Sequence, residues 1–269
     1  MFTLCQKGAR CFIGSAILGL MATATSVRAE SVDIVGTGDG MVIMQGLADA
    51  FKKHNSEHTI TIPQSVGSSG GIKAVGQGHY LLGRVARTIK DKEKPYGLEY
   101  LPIARFPVVF FVNPDVDVTN LSVQQVLDIY SGKITDWKQV GGRDGRVRVV
   151  RREDGDSSLN NLRNTLPGFK ELVITPLSKT THLTQETFEL IETKSGTIGF
   201  GPYSGTLAAN VRVLNIDHKK PTDADYPSFG VLALIFKPEN RQGVVADFID
   251  FMDSDKAAQA IKDNHATPF

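Results

Sequence analysis

Short apolar runs alternate along this chain with stretches whose apolar residues recur every three or four positions, a pattern that predicts strands leading into helices and hence an α/β fold. Residues 32–35 predict a first strand, followed by Gly36-Thr37-Gly38-Asp39-Gly40. Met44, Leu47, Ala48 and Phe51 then share one helical face, predicting a helix over 41–54. A second strand over 60–63 leads into Gly67-Ser68-Ser69-Gly70-Gly71 and another helix. Residues 107–114 and 229–236 are strongly apolar and read as two strands that cross between lobes. Between them the pattern predicts a helix near 122–130, a turn over 131–137 and a strand over 146–152 that opens into Glu153-Asp154-Gly155-Asp156-Ser157-Ser158. The helix after this loop would run through Leu159, Leu162 and Leu166, capped by Asp156 or Ser157 and stopped by Pro167-Gly168. Beyond Arg241, apolar spacing predicts two closing helices that complete the first lobe.

Three strand ends therefore deliver polar, glycine-containing loops to helix starts, the place where open α/β sheets bind ligands. The first amides of a helix have no intrahelical partner, and the helix dipole adds positive potential there, so a small anion is the expected guest. In Gly67-Ser68-Ser69-Gly70-Gly71, serine would cap the helix and donate to an oxyanion, while glycine lets a ligand approach the backbone. Taken alone, this segment also reads as an ordinary Ser-capped helix start.

The N-terminus points to export. Lys7 and Arg10 precede an uncharged apolar stretch over 12–27 that ends in Val27-Arg28-Ala29, the pattern of a cleavable secretory leader with cleavage after Ala29. Both cysteines, Cys5 and Cys11, fall in this leader, so the mature chain would carry no disulfide and no thiolate metal site. Removing Lys7, Arg10 and Arg28 leaves 27 basic residues against 29 acidic ones, a formal charge of −2 that argues against a nucleic-acid-binding surface. The six histidines show no ligand spacing beyond His54 and His58, so no metal is expected.

Several landmarks occur in a telling order: Gly67-Ser68-Ser69-Gly70-Gly71-Ile72-Lys73, then Tyr130-Ser131-Gly132-Lys133-Ile134-Thr135-Asp136-Trp137, then Ser195-Gly196-Thr197-Ile198-Gly199-Phe200. Over nearly its whole mature length the chain resembles the phosphate-binding periplasmic components of ABC transporters, which are type II periplasmic binding proteins. The resemblance implies two lobes, each a mostly parallel sheet flanked by helices, joined by two crossing strands. On this reading the first lobe comprises residues 30–110 and 229–269, and the second 111–228. It implies a monomer that captures inorganic phosphate or a related tetrahedral oxyanion without chemistry or cofactor and delivers it to an ABC permease from the periplasm or outside the cell.

Carried over position by position, Gly38 and Asp39 match first-loop contacts and Ser68 the loop serine. Arg152 matches the arginine of an Arg-x-Asp-Gly-Ser-Gly-Thr pattern, with Asp154 the carboxylate that steadies it and Ser157 and Ser158 following at the helix start. Guanidinium suits the role because its planar donors stay charged. Arg151 competes for the position, since strand alternation turns only one of the two toward the cleft. Two positions depart from the pattern. Ala86 stands where a carboxylate accepts the phosphate proton, and Asp156 stands where a serine is expected. Asp156 or Asp39 could supply the acceptor instead, with Arg84 or Arg87 balancing the charge. The alternative makes these arginines solvated charges and Asp156 only a cap. Two other functions fit parts of the sequence. One is a secreted serine hydrolase with Ser157, Asp263 and His265 as its triad, and the other is an oxyanion sensor or scavenger independent of a transporter.

Overall fold

The computed structural model of the protein describes residues 1–3 and 30–269. Residues 4–29, which hold most of the expected leader, lie outside the described residues. In chain order the elements are β1 (Ser31–Gly36), α1 (Met41–His54), β2 (Thr59–Thr61), α2 (Gly67–Gly76), β3 (Leu82–Val85), β4 (Glu99–Val112), β5 (Asn120–Leu121), α3 (Val123–Ser131), β6 (Arg148–Arg152) and α4 (Ser157–Thr165). They continue with β7 (Lys179–Thr181), α5 (Thr184–Thr193), β8 (Thr197–Pro202), α6 (Tyr203–Thr206), β9 (Arg212–Val213), β10 (Asn215–Ile216), β11 (Phe229–Phe236), α7 (Val244–Phe251), α8 (Asp255–Asp263) and β12 (Thr267–Pro268).

One continuous sheet runs β2-β1-β3-β11-β4-β8-β6-β7. Its two outer thirds are parallel: β1 pairs with β2 and β3 on one side, and β6 with β7 and β8 on the other. The middle is antiparallel because it consists of the strands that carry the chain out and back. β4 pairs with β11, and through residues 108–112 with β8, while β11 also pairs with β3. Each lobe is thus parallel only away from the crossings. β4 starts earlier than its apolar core suggests, because Pro102 and Arg105 interrupt the hydrophobic run. The ladder with β11 shifts register beside Pro102, which has no N–H to contribute.

Each lobe has its own aromatic centre. Phe51 of α1 meets Phe248 and Phe251 of α7 at 5.2 and 5.4 Å between ring centroids, so the returning helices close the first lobe. Phe110 at the far end of β4 lies 5.6 Å from Tyr130 and 6.1 Å from Phe200, edge-on in both cases, centring the second. Both centres belong to one continuous hydrophobic core, and β4 runs through it.

Candidate binding site

Four helices begin at the line where the lobes meet. α1 and α2 come from the first lobe, and α4 and α5 from the second. Each follows the C-terminal end of a strand or the loop just beyond it, so all four turn unpaired amides and the positive ends of their dipoles toward one another. The residues at these starts are Asp39, Ser68, Ser157, Ser158 and Thr184, and all five are buried.

They are joined across the cleft. Ser68 Oγ lies 2.7 Å from Ser157 Oγ. Ser158 Oγ donates to Asp39 Oδ2 at 2.7 Å and Thr184 Oγ1 to Asp39 Oδ1 at 2.9 Å. Gly38 has no side chain to obstruct this approach, and a Cβ there would sit 2.8 Å from Thr184 Oγ1. Ser68 is not the cap that the sequence suggested. Val66 occupies that position, and Ser65 Oγ accepts from the Gly67 amide at 3.2 Å. Ser68 Oγ accepts instead from the Ala86 amide at 3.1 Å, which leaves its proton to point into the cleft.

Asp39 is fully buried, and its pKa is pushed up to about 6. Burial is the main cause, followed by the charge of Asp156. Arg152 and the two hydroxyl donors pull the other way.

Arg152, at the end of β6, is the arginine that enters the cleft region, with 4% of its surface exposed. Its Nη1 donates to Thr187 Oγ1 and its Nη2 to Asp156 Oδ2, both at 2.7 Å, while its buried Nε has no partner. Asp156 therefore orients Arg152 and also caps α4 by accepting from the Leu159 amide at 3.0 Å. The expectation that Asp154 steadies Arg152 is corrected. Asp154 pairs at the surface with Arg151 (2.5 Å) and Arg163 (3.1 Å), because Arg151 projects from the opposite side of the strand.

Arg84 and Arg87, expected to balance charge in the cleft, are held elsewhere: every donor nitrogen of Arg84 is engaged, and both Nη groups of Arg87 are, with its buried Nε left without a partner. Arg84 is wholly buried and donates to the carbonyls of Thr37 (2.8 Å), Pro63 (2.8 Å) and Ile34. It locks the β1 and β2 loop ends together. Gly36, at φ +144°, makes room for it, since a Cβ would come within 1.9 Å of the Arg84 carbonyl. Burial lowers its pKa to about 10, which leaves it protonated at neutral pH. Replacing Arg84 with methionine strands three carbonyls and is expected to cost about 3–5 kcal/mol of stability by urea unfolding. Arg151→Ala, at a half-exposed pair, should cost less than about 1 kcal/mol. Arg87 forms a buried ion pair with Glu93 at 2.7 Å and donates to Ser69 Oγ at 2.8 Å, pinning the first turn of α2 from behind.

Ala86 lies at the lobe junction, and its carbonyl accepts from Asn161 Nδ2 at 3.0 Å. Asn161, Thr184 and Thr187 are residues the sequence reading missed. Thr184, Thr187 and Ile191 recur at helical spacing, a signal for α5 that polar threonines conceal from an apolar count. No triad forms around Ser157. His265 rests on the Tyr203 ring at 5.4 Å, and Asp263 accepts from Gln259 at 2.7 Å. His58 pairs with Asp247 at 3.3 Å, and no group of three or more potential ligands gathers among the described residues to hold a metal ion.

Two lobes on crossing strands, meeting over a polar cleft ringed by helix starts, with no catalytic triad assembled among the described residues, define a type II solute-binding protein. The chain belongs to the PBP superfamily domain, matching that family over residues 22–256. It is similar to the phosphate-binding protein PstS of Bacillus subtilis, with 26% identity covering 86% of this chain and 78% of that one. It is also similar to PstS of Borreliella burgdorferi, with 23% identity covering 86% and 88%. Among solved structures it resembles a phosphate ABC transporter substrate-binding protein from Clostridium perfringens with bound phosphate, at 29% identity and a TM-score of 0.80, covering 89% of this chain and 99% of that one. The family anticipated from the sequence landmarks is the one found.

Proposed function

We propose that this protein captures inorganic phosphate between its lobes and delivers it to an ABC permease, acting as an exported monomer whose leader ends at Ala29. The observation that carries this reading is the convergence of four helix starts on a buried arginine with a spare Nε donor and a buried carboxylate. Amide and hydroxyl donors suit the oxygens of a tetrahedral anion, and the carboxylate suits the one oxygen that bears a proton.

In this reading Ser68 and the Gly38-Asp39 loop belong to the first lobe, built from residues 30–110 and 229–269. Arg152, Ser157, Ser158 and Thr184 come from the second, residues 111–228. Asp39 is the proton acceptor that replaces the carboxylate missing at Ala86, because Asp156 already serves Arg152 and the α4 cap. The hydroxyls that now meet across the cleft would turn their protons to phosphate oxygens. The lobes would open by bending at β4 and β11, the two strands that cross between them.

Calorimetric titration of the mature protein tests this directly. Phosphate and arsenate are expected to bind with micromolar or tighter affinity, and sulfate roughly four orders of magnitude more weakly, since it has no proton to offer. Sulfate binding as tightly as phosphate would remove Asp39 from its assigned role, and failure of all three to bind would remove the function.

A further inference from the structure

A second cavity lies in the second lobe, at the opposite end of the sheet from the cleft. Arg152 ends β6 at the cleft, whereas Arg148 and Val149 at its beginning line this cavity. α5 likewise starts at the cleft with Thr184 and Thr187 and reaches the cavity with Leu190 and Lys194. The space measures about 460 Å³, within the range that accepts a small organic ligand.

Its chemistry is divided. Ile129, Val149 and Leu190 make apolar walls, and Leu177 stands at the lining with 81% of its surface exposed. Arg146, Arg148, Lys179 and Lys194 also line it, and no acidic side chain does. Eleven ion pairs are formed among the described residues, and none uses any of these four cations. Arg148 has a single partner, the Ser195 carbonyl at 3.0 Å. Four like charges around an apolar space repel one another, and a bound anion relieves that repulsion while an apolar body fills the interior.

We propose that this cavity is a binding site for a small amphipathic anion, a carboxylate carried on an alkyl body, separate from the oxyanion cleft. An inorganic oxyanion would leave the apolar walls wet, and a neutral alkane would leave the cations unpaired. A medium-chain carboxylate satisfies both. Each methylene buried should tighten binding about fourfold, so chain length tunes affinity.

The test uses the phosphate-loaded, isotope-labelled protein titrated with decanoate and followed by amide shifts. Saturable shifts confined to the cavity lining, residues 129–135, 146–150, 175–179, 190–194 and 197, are expected, with decanol binding more weakly and decyltrimethylammonium not at all. Lys179→Glu combined with Lys194→Glu, both at exposed positions, should weaken decanoate at least about tenfold and leave the phosphate titration unchanged. Absent or non-saturable shifts, equal binding of the cationic or neutral analogue, or undiminished decanoate binding by the double variant would each overturn the proposal. The unchanged phosphate titration keeps that result independent of the cleft's function.

Discussion

Arg152→Ala is expected to weaken phosphate binding by about two to three orders of magnitude, whereas Lys73→Ala, at an exposed position on α2, should change it by less than about threefold. Arg152 is the buried cation that reaches the cleft, because Arg84 gives its donors to backbone carbonyls and Arg87 is held behind α2 by Glu93 and Ser69. Its removal withdraws the unpartnered Nε and also strands Asp156, whose negative charge would then face the incoming anion unopposed. Arg152→Lys separates the two contributions. It retains a positive charge beside Asp156 but cannot reproduce the planar set of donors that reaches Thr187 and Asp156 together, so its affinity should fall between that of the parent and the alanine variant. Calorimetry measures all three, and Arg151→Ala serves as a control of equal charge change on the neighbouring residue. Equal losses for Arg151→Ala and Arg152→Ala would contradict the assignment of the cleft arginine.

How much of this was legible in the sequence follows from what each signal is made of. The helix over 41–54 and the strand over 229–236 show up as runs of apolar spacing, because both bury one face or all of themselves, and both match the structure end for end. The three loops carrying Asp39, Ser68 and Ser157 were legible as glycine and serine at strand ends. The fourth, at α5, was not. Its cleft-facing residues are Thr184 and Thr187, neither apolar nor glycine, and the helix is amphipathic in a sense that a search for leucines misses. Side-chain destinations were the least legible. Arg84 and Arg152 are both buried arginines next to glycine-containing loops, yet one holds three carbonyls and the other keeps a free donor. That difference depends on where β1 and β2 end in space, not on their neighbours in the chain. The same holds for Asp154 and Asp156. The pattern named the first, but the carboxylate four residues beyond Arg152 reaches it because the helix cap points back toward the strand.

Asp39→Asn is expected to abolish discrimination between phosphate and sulfate at neutral pH, mainly by admitting sulfate. The parent protein presents an ionised, buried carboxylate at pH 7.5, since the pKa of Asp39 is about 6, and such a group accepts a hydrogen bond from the protonated oxygen of phosphate but repels an anion that has no proton to donate. Asparagine removes the charge and offers a donor in its place, so sulfate affinity should rise by at least about a hundredfold while phosphate affinity falls. Lowering the pH should partly mimic the substitution in the parent: as Asp39 gains its proton below pH 6, sulfate binding should appear, and the asparagine variant should show no such rise. Stability gives a second, ligand-free readout. The folded pKa of about 6 lies above the unfolded value of 3.8, so the folded state binds the proton more tightly. The stability this confers is fully present below pH 3.8 and is lost as pH rises through about 6. Above that, the parent bears the cost of a buried charge, about 1.4 kcal/mol for every tenfold difference in proton affinity between the folded and unfolded states, and Asp39→Asn should be the more stable protein in the absence of ligand. A variant that gains ligand-free stability yet loses selectivity is what a carboxylate kept for recognition predicts. If Asp39→Asn still rejected sulfate, or lost stability at pH 7.5, Asp39 would be a structural group and the acceptor would have to be sought at Asp156.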